Sequence, residues 1–210
     1  MIAPAPWHLA GSGSIVLYRF PRAWALEHGQ IPERLRGAFL GGVGAVMLVD
    51  YRASPVGPYR EALFIPGQFR LAGRVASSIT RIYVSTWPSV EGGRQNWGLP
   101  KELADITIES DNFSVEVAGN PILAAGVEPV GPHVPLHTGW LPVPTLIGQE
   151  RAGTLYLTRL SGRGAVRLAH LRHVSAYAPA FPDLAPFRPL VALHVAHFTL
   201  TFPVPEVRAG

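Results

Sequence analysis

Lys101 is the only lysine among the 210 residues of this chain, and every other cationic side chain is arginine. A guanidinium does not deprotonate in proteins, whereas an ammonium does so readily when buried, so one lysine among arginines points to chemistry that needs an amine. The chemistry is nucleophilic: a neutral amine attacks a ketone to give a Schiff base, whose protonated nitrogen withdraws electrons and eases decarboxylation or aldol cleavage. The bland alternative is a stray surface lysine left by an arginine-rich composition. Around Lys101 the sequence is Trp97-Gly98-Leu99-Pro100-Lys101-Glu102-Leu103-Ala104. Pro100 suits the first position of a helical turn, which would place Lys101 near a helix N-terminus, where a cation is disfavoured. Trp97, Leu99 and Leu103 would bury the amine, and both effects would lower its pKa.

A second chemical group lies upstream. In the β-run Tyr59 to Ile65, strand alternation puts Glu61 on one face with Tyr59, Leu63 and Ile65, and Arg60, Ala62 and Phe64 on the other. A carboxylate on an apolar face suits proton transfer to an enamine; the structural alternative is a buried salt bridge to an arginine. Arg60 could clamp a substrate carboxylate, although alternation turns it away from Glu61. Trp97 could wall a pocket or serve as an ordinary core aromatic.

The segment Gly93-Arg94-Gln95-Asn96-Trp97-Gly98-Leu99-Pro100-Lys101-Glu102-Leu103-Ala104 resembles the active-site segment of the acetoacetate decarboxylase family, which reads Gly-Arg-Glu, a short aromatic stretch, then Pro-Lys-Lys-Leu. The resemblance implies that Lys101, directly after proline, forms the Schiff base. Gly57-Pro58-Tyr59-Arg60-Glu61 resembles the family segment that ends in its active-site glutamate, which implies an acid/base role for Glu61. The likeness is clearest from Ser14 to Val117. It departs from the family pattern at Glu102, where a second lysine is usual, and at Ala10-Gly11-Ser12-Gly13-Ser14, where the family carries an arginine. A carboxylate at 102 would raise the amine's pKa if it faced Lys101, but consecutive residues of a helical turn do not face each other.

Composition bounds the remaining possibilities. The length fits a single domain, residues 1–210. Charged residues make up 15%, against about 25% in average soluble domains, which suggests surface buried between subunits of a homo-oligomer. The net charge of +4 comes from dispersed arginines, a pattern that does not favour nucleic-acid binding. Lack of cysteine excludes disulfides and thiolate metal sites and fits a cytoplasmic protein. Residues 1–13 lack the basic start and apolar run of a signal peptide, and the apolar stretch Ala38 to Val49 is far shorter than the ~20 residues of a membrane helix. The pairs His133/His137, His170/His173 and His194/His197 do not form a metal site: prolines disfavour a helix at the first, and spacing on strands splits the other two between faces. No serine elbow, phosphate loop or dinucleotide fingerprint is present, and no cofactor is expected.

The pattern of elements is mostly strand. Expected strands run Ser14 to Phe20, Ala45 to Tyr51, Tyr59 to Ile65, Leu71 to Trp87, Asp105 to Ser110, Phe113 to Ala118, Ile122 to Val130, Gly153 to Leu160, Ala165 to Val174 and Leu190 to Phe202. Ile31 to Leu40 is the best helix candidate, and Val130 to Thr145 reads as a long loop that covers a site or meets a neighbouring subunit. This predicts a mainly β barrel or sandwich with few helices. The family resemblance selects a closed, cone-like antiparallel β-barrel with an internal cavity. Three functions follow: a lysine Schiff-base decarboxylase of a small β-keto acid, a Schiff-base aldolase or dehydratase of pyruvate-like acids, or a non-catalytic barrel in which Lys101 pairs with Glu61 or Glu102.

Overall fold

Runs of alternating apolar residues punctuated by Gly and Pro become sixteen strands and three short α-helices in the computed structural model, which describes residues 2–140 and 145–209. In chain order these are β1 (Trp7–Arg19), α1 (Arg22–His28), α2 (Glu33–Arg36), β2 (Phe39–Gly41), β3 (Val43–Ala53), β4 (Tyr59–Ile65), β5 (Gln68–Leu71), β6 (Arg74–Ser77), β7 (Arg81–Val84) and α3 (Trp87–Trp97). They continue with β8 (Lys101–Leu103), β9 (Asp105–Glu109), β10 (Asn112–Val117), β11 (Asn120–His137), β12 (Leu146–Arg151), β13 (Thr154–Arg159), β14 (Ser161–Ala176), β15 (Val191–Phe202) and β16 (Glu206–Ala209).

Ten strands form one sheet in the order β8-β7-β4-β3-β1-β15-β14-β11-β10-β9, curled into a nearly closed barrel, as expected. A second sheet of six, β16-β13-β12-β6-β5-β2, packs beside it. Pairing is antiparallel except between β7 and β8 and between β6 and β12. The central strands β3 and β4 of the ten-stranded sheet bury both faces over most of their length. Val16, Val46, Leu48, Phe64 and Val115 belong to one core, while Leu9, Val49, Leu63, Ile82 and Val84 belong to another that also receives Val90 and Trp97 of α3. Among the described residues no helix is long and apolar enough to cross a membrane.

Several expected elements differ. The helix read over 31–40 is only the four residues of α2, because Gly37 ends it and Phe39 is drawn into β2 to pack its ring 5.0 Å from Phe69. The single strand read over 71–87 is three pieces, β5 to β7, broken by a tight turn at Ala72-Gly73, where both residues have positive φ. The helices α1 and α3 are additional. The loop read over 130–145 is instead strand as far as His137, paired with β14 up to Arg163, and then one 3-10 turn, Thr138–Trp140. Residues 141–144 of that reading lie outside the described residues.

Candidate active site

Glu61 sits where alternation placed it. On β4 it shares a face with Tyr59, Leu63 and Ile65, and it is only 4% exposed. On one side its register partner is Val49 of β3, and on the other Val84 of β7. The next pair along β3 and β4 is Tyr51 opposite Tyr59, with ring centroids 4.6 Å apart. Tyr51 donates its hydroxyl to Glu61 Oε1 at 3.2 Å.

Lys101 arrives by a different route from the one read in the sequence. No helix starts at Pro100. Instead α3 ends at Trp97, and Gly98 takes the left-handed conformation at φ 66°, its N–H donating to the Arg94 carbonyl at 3.1 Å. That is the usual glycine stop, and a proline just beyond it cannot continue the helix. The chain therefore leaves as β8, parallel to β7, with Lys101 opposite Ile82. No helix N-terminus therefore faces the amine; Lys101 is 3% exposed among buried Trp97 and Leu99, whereas Leu103 is itself exposed. Arg94 Nε donates to the Lys101 carbonyl at 2.7 Å, which fixes β8 against the last turn of α3.

The two glycines of α3 are spaces for named neighbours. A Cβ on Gly92 would stand 2.4 Å from Trp7 Cζ2, and one on Gly93 would stand 2.5 Å from Lys101 Cδ. Glycine is a poor helix former, yet here it lets the helix approach the strand and the lysine stem pass beneath it.

At the end of that stem, Lys101 Nζ lies 2.8 Å from Glu61 Oε2, donates to Ser89 Oγ at 3.0 Å and sits 4.9 Å from the centroid of the Tyr59 ring. The ammonium is thus met by a carboxylate, a hydroxyl and an aromatic face. A buried pair of opposite charges is stable only when its remaining hydrogen-bonding capacity is satisfied, as it is here. Burial first, and the negative charge of Glu61 next, hold the Tyr51 and Tyr59 hydroxyls well above the ordinary tyrosine value, so both are protonated donors near neutrality. An amine and a carboxylate at this distance can pass a proton directly, which leaves a neutral nucleophile beside a carboxylic acid. Glu102 points to the other side of β8 and pairs with Arg81 at 2.8 Å, away from the amine.

A cavity of about 270 Å³ opens on the Glu61 face of the ten-stranded sheet, between it and the six-stranded sheet. Tyr51 and Val49 belong to its wall. The ion pair therefore lies one side chain behind the cavity, linked to it by the Tyr51 hydroxyl.

Two other residues singled out in the sequence are not brought to the pair. Arg60 is on the opposite face, where its guanidinium donates to the Ile106 carbonyl at 2.8 Å and lies 3.8 Å from Asp50. Trp97 is a core aromatic: it packs edge-on to Trp7 and Phe202, each at 5.1 Å, donates to the Pro203 carbonyl at 2.7 Å and does not line the cavity. Sequence reasoning missed Tyr51, Ser89 and the positioning role of Arg94. Tyr51 is accessible in principle, as the hairpin partner of Tyr59; Ser89 is not, because the strand read over 71–87 stops before it and no helix is read there. The His194 ring instead meets Ser14, with Nδ1 3.3 Å from Oγ.

Known proteins share this arrangement of strands. The acetoacetate decarboxylase from Legionella pneumophila subsp. pneumophila str. Philadelphia 1 superimposes with a TM-score of 0.70 at 16% identity, over 98% of this chain and 88% of that one. An acetoacetate decarboxylase-like enzyme from Sphingomonas wittichii RW1 gives 0.74 at 13% identity, over 100% and 95%. The enduracididine biosynthesis enzyme MppR, in complex with pyruvate, gives 0.67 at 16% identity, over 99% and 91%. No curated protein matches in sequence. The family model for acetoacetate decarboxylase matches residues 8–140, a span that holds both Glu61 and Lys101. With most of its length matched by that model and its strands arranged as in those enzymes, the chain belongs to the acetoacetate decarboxylase family.

Proposed function

We propose that the protein is a lysine Schiff-base lyase that decarboxylates a β-keto acid, with Lys101 as nucleophile and Glu61 as its acid/base partner. The observation that carries this reading is the Lys101–Glu61 contact of 2.8 Å, buried against the wall of an apolar cavity. Glu61 accepts the ammonium proton, and the freed amine adds to the ketone. The carbinolamine takes a proton from Glu61 and loses water. Cleavage of the bond to the carboxylate releases carbon dioxide and sends the electron pair to the iminium nitrogen. The resulting enamine is protonated at carbon through Glu61, and water then hydrolyses the iminium to free ketone and amine. Overall one proton is taken up, from solvent. Tyr51 keeps Oε1 occupied so that Oε2 faces the amine.

A second reading keeps the Schiff base and makes the reaction aldol addition or dehydration of a pyruvate-like acid. Two observations favour it: the pyruvate complex of MppR, and Gly11, which lies in the stretch where the family carries its arginine, has no side chain and could not gain one, since a Cβ there would stand 2.0 Å from the Asp50 carbonyl oxygen. Product analysis separates the two. Incubation with acetoacetate should yield acetone and carbon dioxide, and Lys101→Arg should yield neither above background; condensation products from pyruvate and an aldehyde, with acetoacetate untouched, would replace the first reading by the second. A chain that turns over neither these acids nor longer 3-oxo acids, with the ion pair intact, is a binding barrel.

A further inference from the structure

The cavity that lies one side chain from the ion pair is far more apolar than a short keto acid requires. Alternate residues of β3, from Tyr51 through Val49 and Met47 to Ala45, all line it, a run of roughly 20 Å at ~3.3 Å per residue. Leu17, Ile147, Leu160 and Phe198 close the other sides, from strands of both sheets and the segment after β13. The volume of about 270 Å³ is shared with β1, β14 and β15, and Gln68 and Arg163 are the largest polar side chains on its border.

The polar end is fixed by the same register. Val49 opposite Glu61 and Tyr51 opposite Tyr59 put the ion pair beside one end of the run, behind the Tyr51 side chain. Ala45 opposite Ile65 marks the other, where the side chains of Ile65 and Leu17 also line the wall. Acetoacetate carries only a methyl group beyond its ketone and would leave this wall uncovered, which forfeits the burial that apolar lining offers.

We infer that the substrate of this site is a keto acid with an apolar tail of several carbons, the ketone at Lys101 and the tail along the Met47–Ala45 side of β3. This rests on the keto-acid reading of the pair, and two separate measurements keep their failures apart. In the first, kcat/KM is measured for unbranched 3-oxo acids of four to ten carbons. It should rise by about fourfold for each of the first added methylenes, the factor expected for burying a CH₂. Met47→Trp and Leu160→Phe, which fill the cavity from different strands, should flatten that dependence. In the second, calorimetry gives the affinity for the matching 3-hydroxy acids, which lack the ketone and cannot form a Schiff base. Their affinity should climb with length in the same way. Turnover of acetoacetate with no gain on lengthening, or 3-hydroxy acid affinity independent of length, overturns the tail. Length-dependent affinity without turnover of any acid upholds the tail and overturns the reaction.

Discussion

Removing Lys101 alone should cost more stability than removing Lys101 and the charge of Glu61 together. In Lys101→Met the carboxylate stays 4% exposed, with Tyr51 as its remaining side-chain partner. Breaking a buried ion pair in this way costs about 3–5 kcal/mol, because one charge is left uncompensated. For a chain of this length each kcal/mol shifts Tm by about 2–4 °C, so a fall of roughly 6–20 °C is expected. Adding Glu61→Gln removes the stranded charge while keeping an acceptor for the Tyr51 hydroxyl. The double variant should therefore be more stable than Lys101→Met, with a coupling energy of about 2 kcal/mol or more. Urea unfolding followed by circular dichroism, on parent, both single variants and the double variant, closes the cycle. Effects that add to within ~0.5 kcal/mol would show that the two groups do not interact energetically, and would refute the buried-pair reasoning.

Other outcomes follow from the same geometry. Gly93→Ala forces a methyl against the Lys101 stem, and should slow Schiff-base formation at least tenfold; Gly92→Ala meets Trp7 instead and should lower stability by about 1–3 kcal/mol while disturbing the amine less. Comparing unfolding and adduct formation for the two variants checks this. Burial raises Tyr51 and Tyr59 well above the usual tyrosine value, raises Tyr83 and pushes Tyr18 up to about 12. Because the folded state favours the protonated phenols, this stability is present below pH ~10 and is lost as pH rises toward the folded values. Tyrosinate absorbance should therefore lag on alkaline titration and appear with loss of the β signal. His194 is shifted the other way, chiefly by burial, so the folded state binds its proton less readily than the unfolded one. Stability should fall as pH drops below ~6.5, and His194→Asn should lessen that fall in urea titrations.

The sequence carried the site further than it carried the elements around it. Glu61 was placed on its face by period-two alternation alone, since β4 is bounded by Pro58 and Pro66 and buried on both sides. Lys101 stands out by residue type, yet its local structure does not follow from the sequence around it, because Pro100 suits a helix start as readily as the segment after a glycine stop. The helix that supplies Ser89 was hidden by its own composition. Pro88, Gly92 and Gly93 are poor helix formers, and the helix exists because those glycines fit Trp7 and the Lys101 stem, a tertiary reason that no local pattern contains. The long pairing of β11 with β14 was masked in the same way by four prolines between residues 121 and 135, which sit in strands broken by register shifts at Gly126 and after Val130. Contact between Lys101 and Glu61, forty residues apart, follows from β7 lying between their strands, which only the assembled sheet reveals.

Intact-mass analysis after borohydride reduction tests the central claim most directly, because the chain has a single lysine and a trapped imine on a side chain has one place to form. With a reactive keto acid present, one reduced adduct is expected on the parent protein, mapped by peptide sequencing to Lys101, and none at that peptide in Lys101→Arg. Full-length protein that stays unmodified with acetoacetate, pyruvate and longer 3-oxo acids alike, or an adduct that persists in Lys101→Arg because it sits on the N-terminal amine, would contradict it.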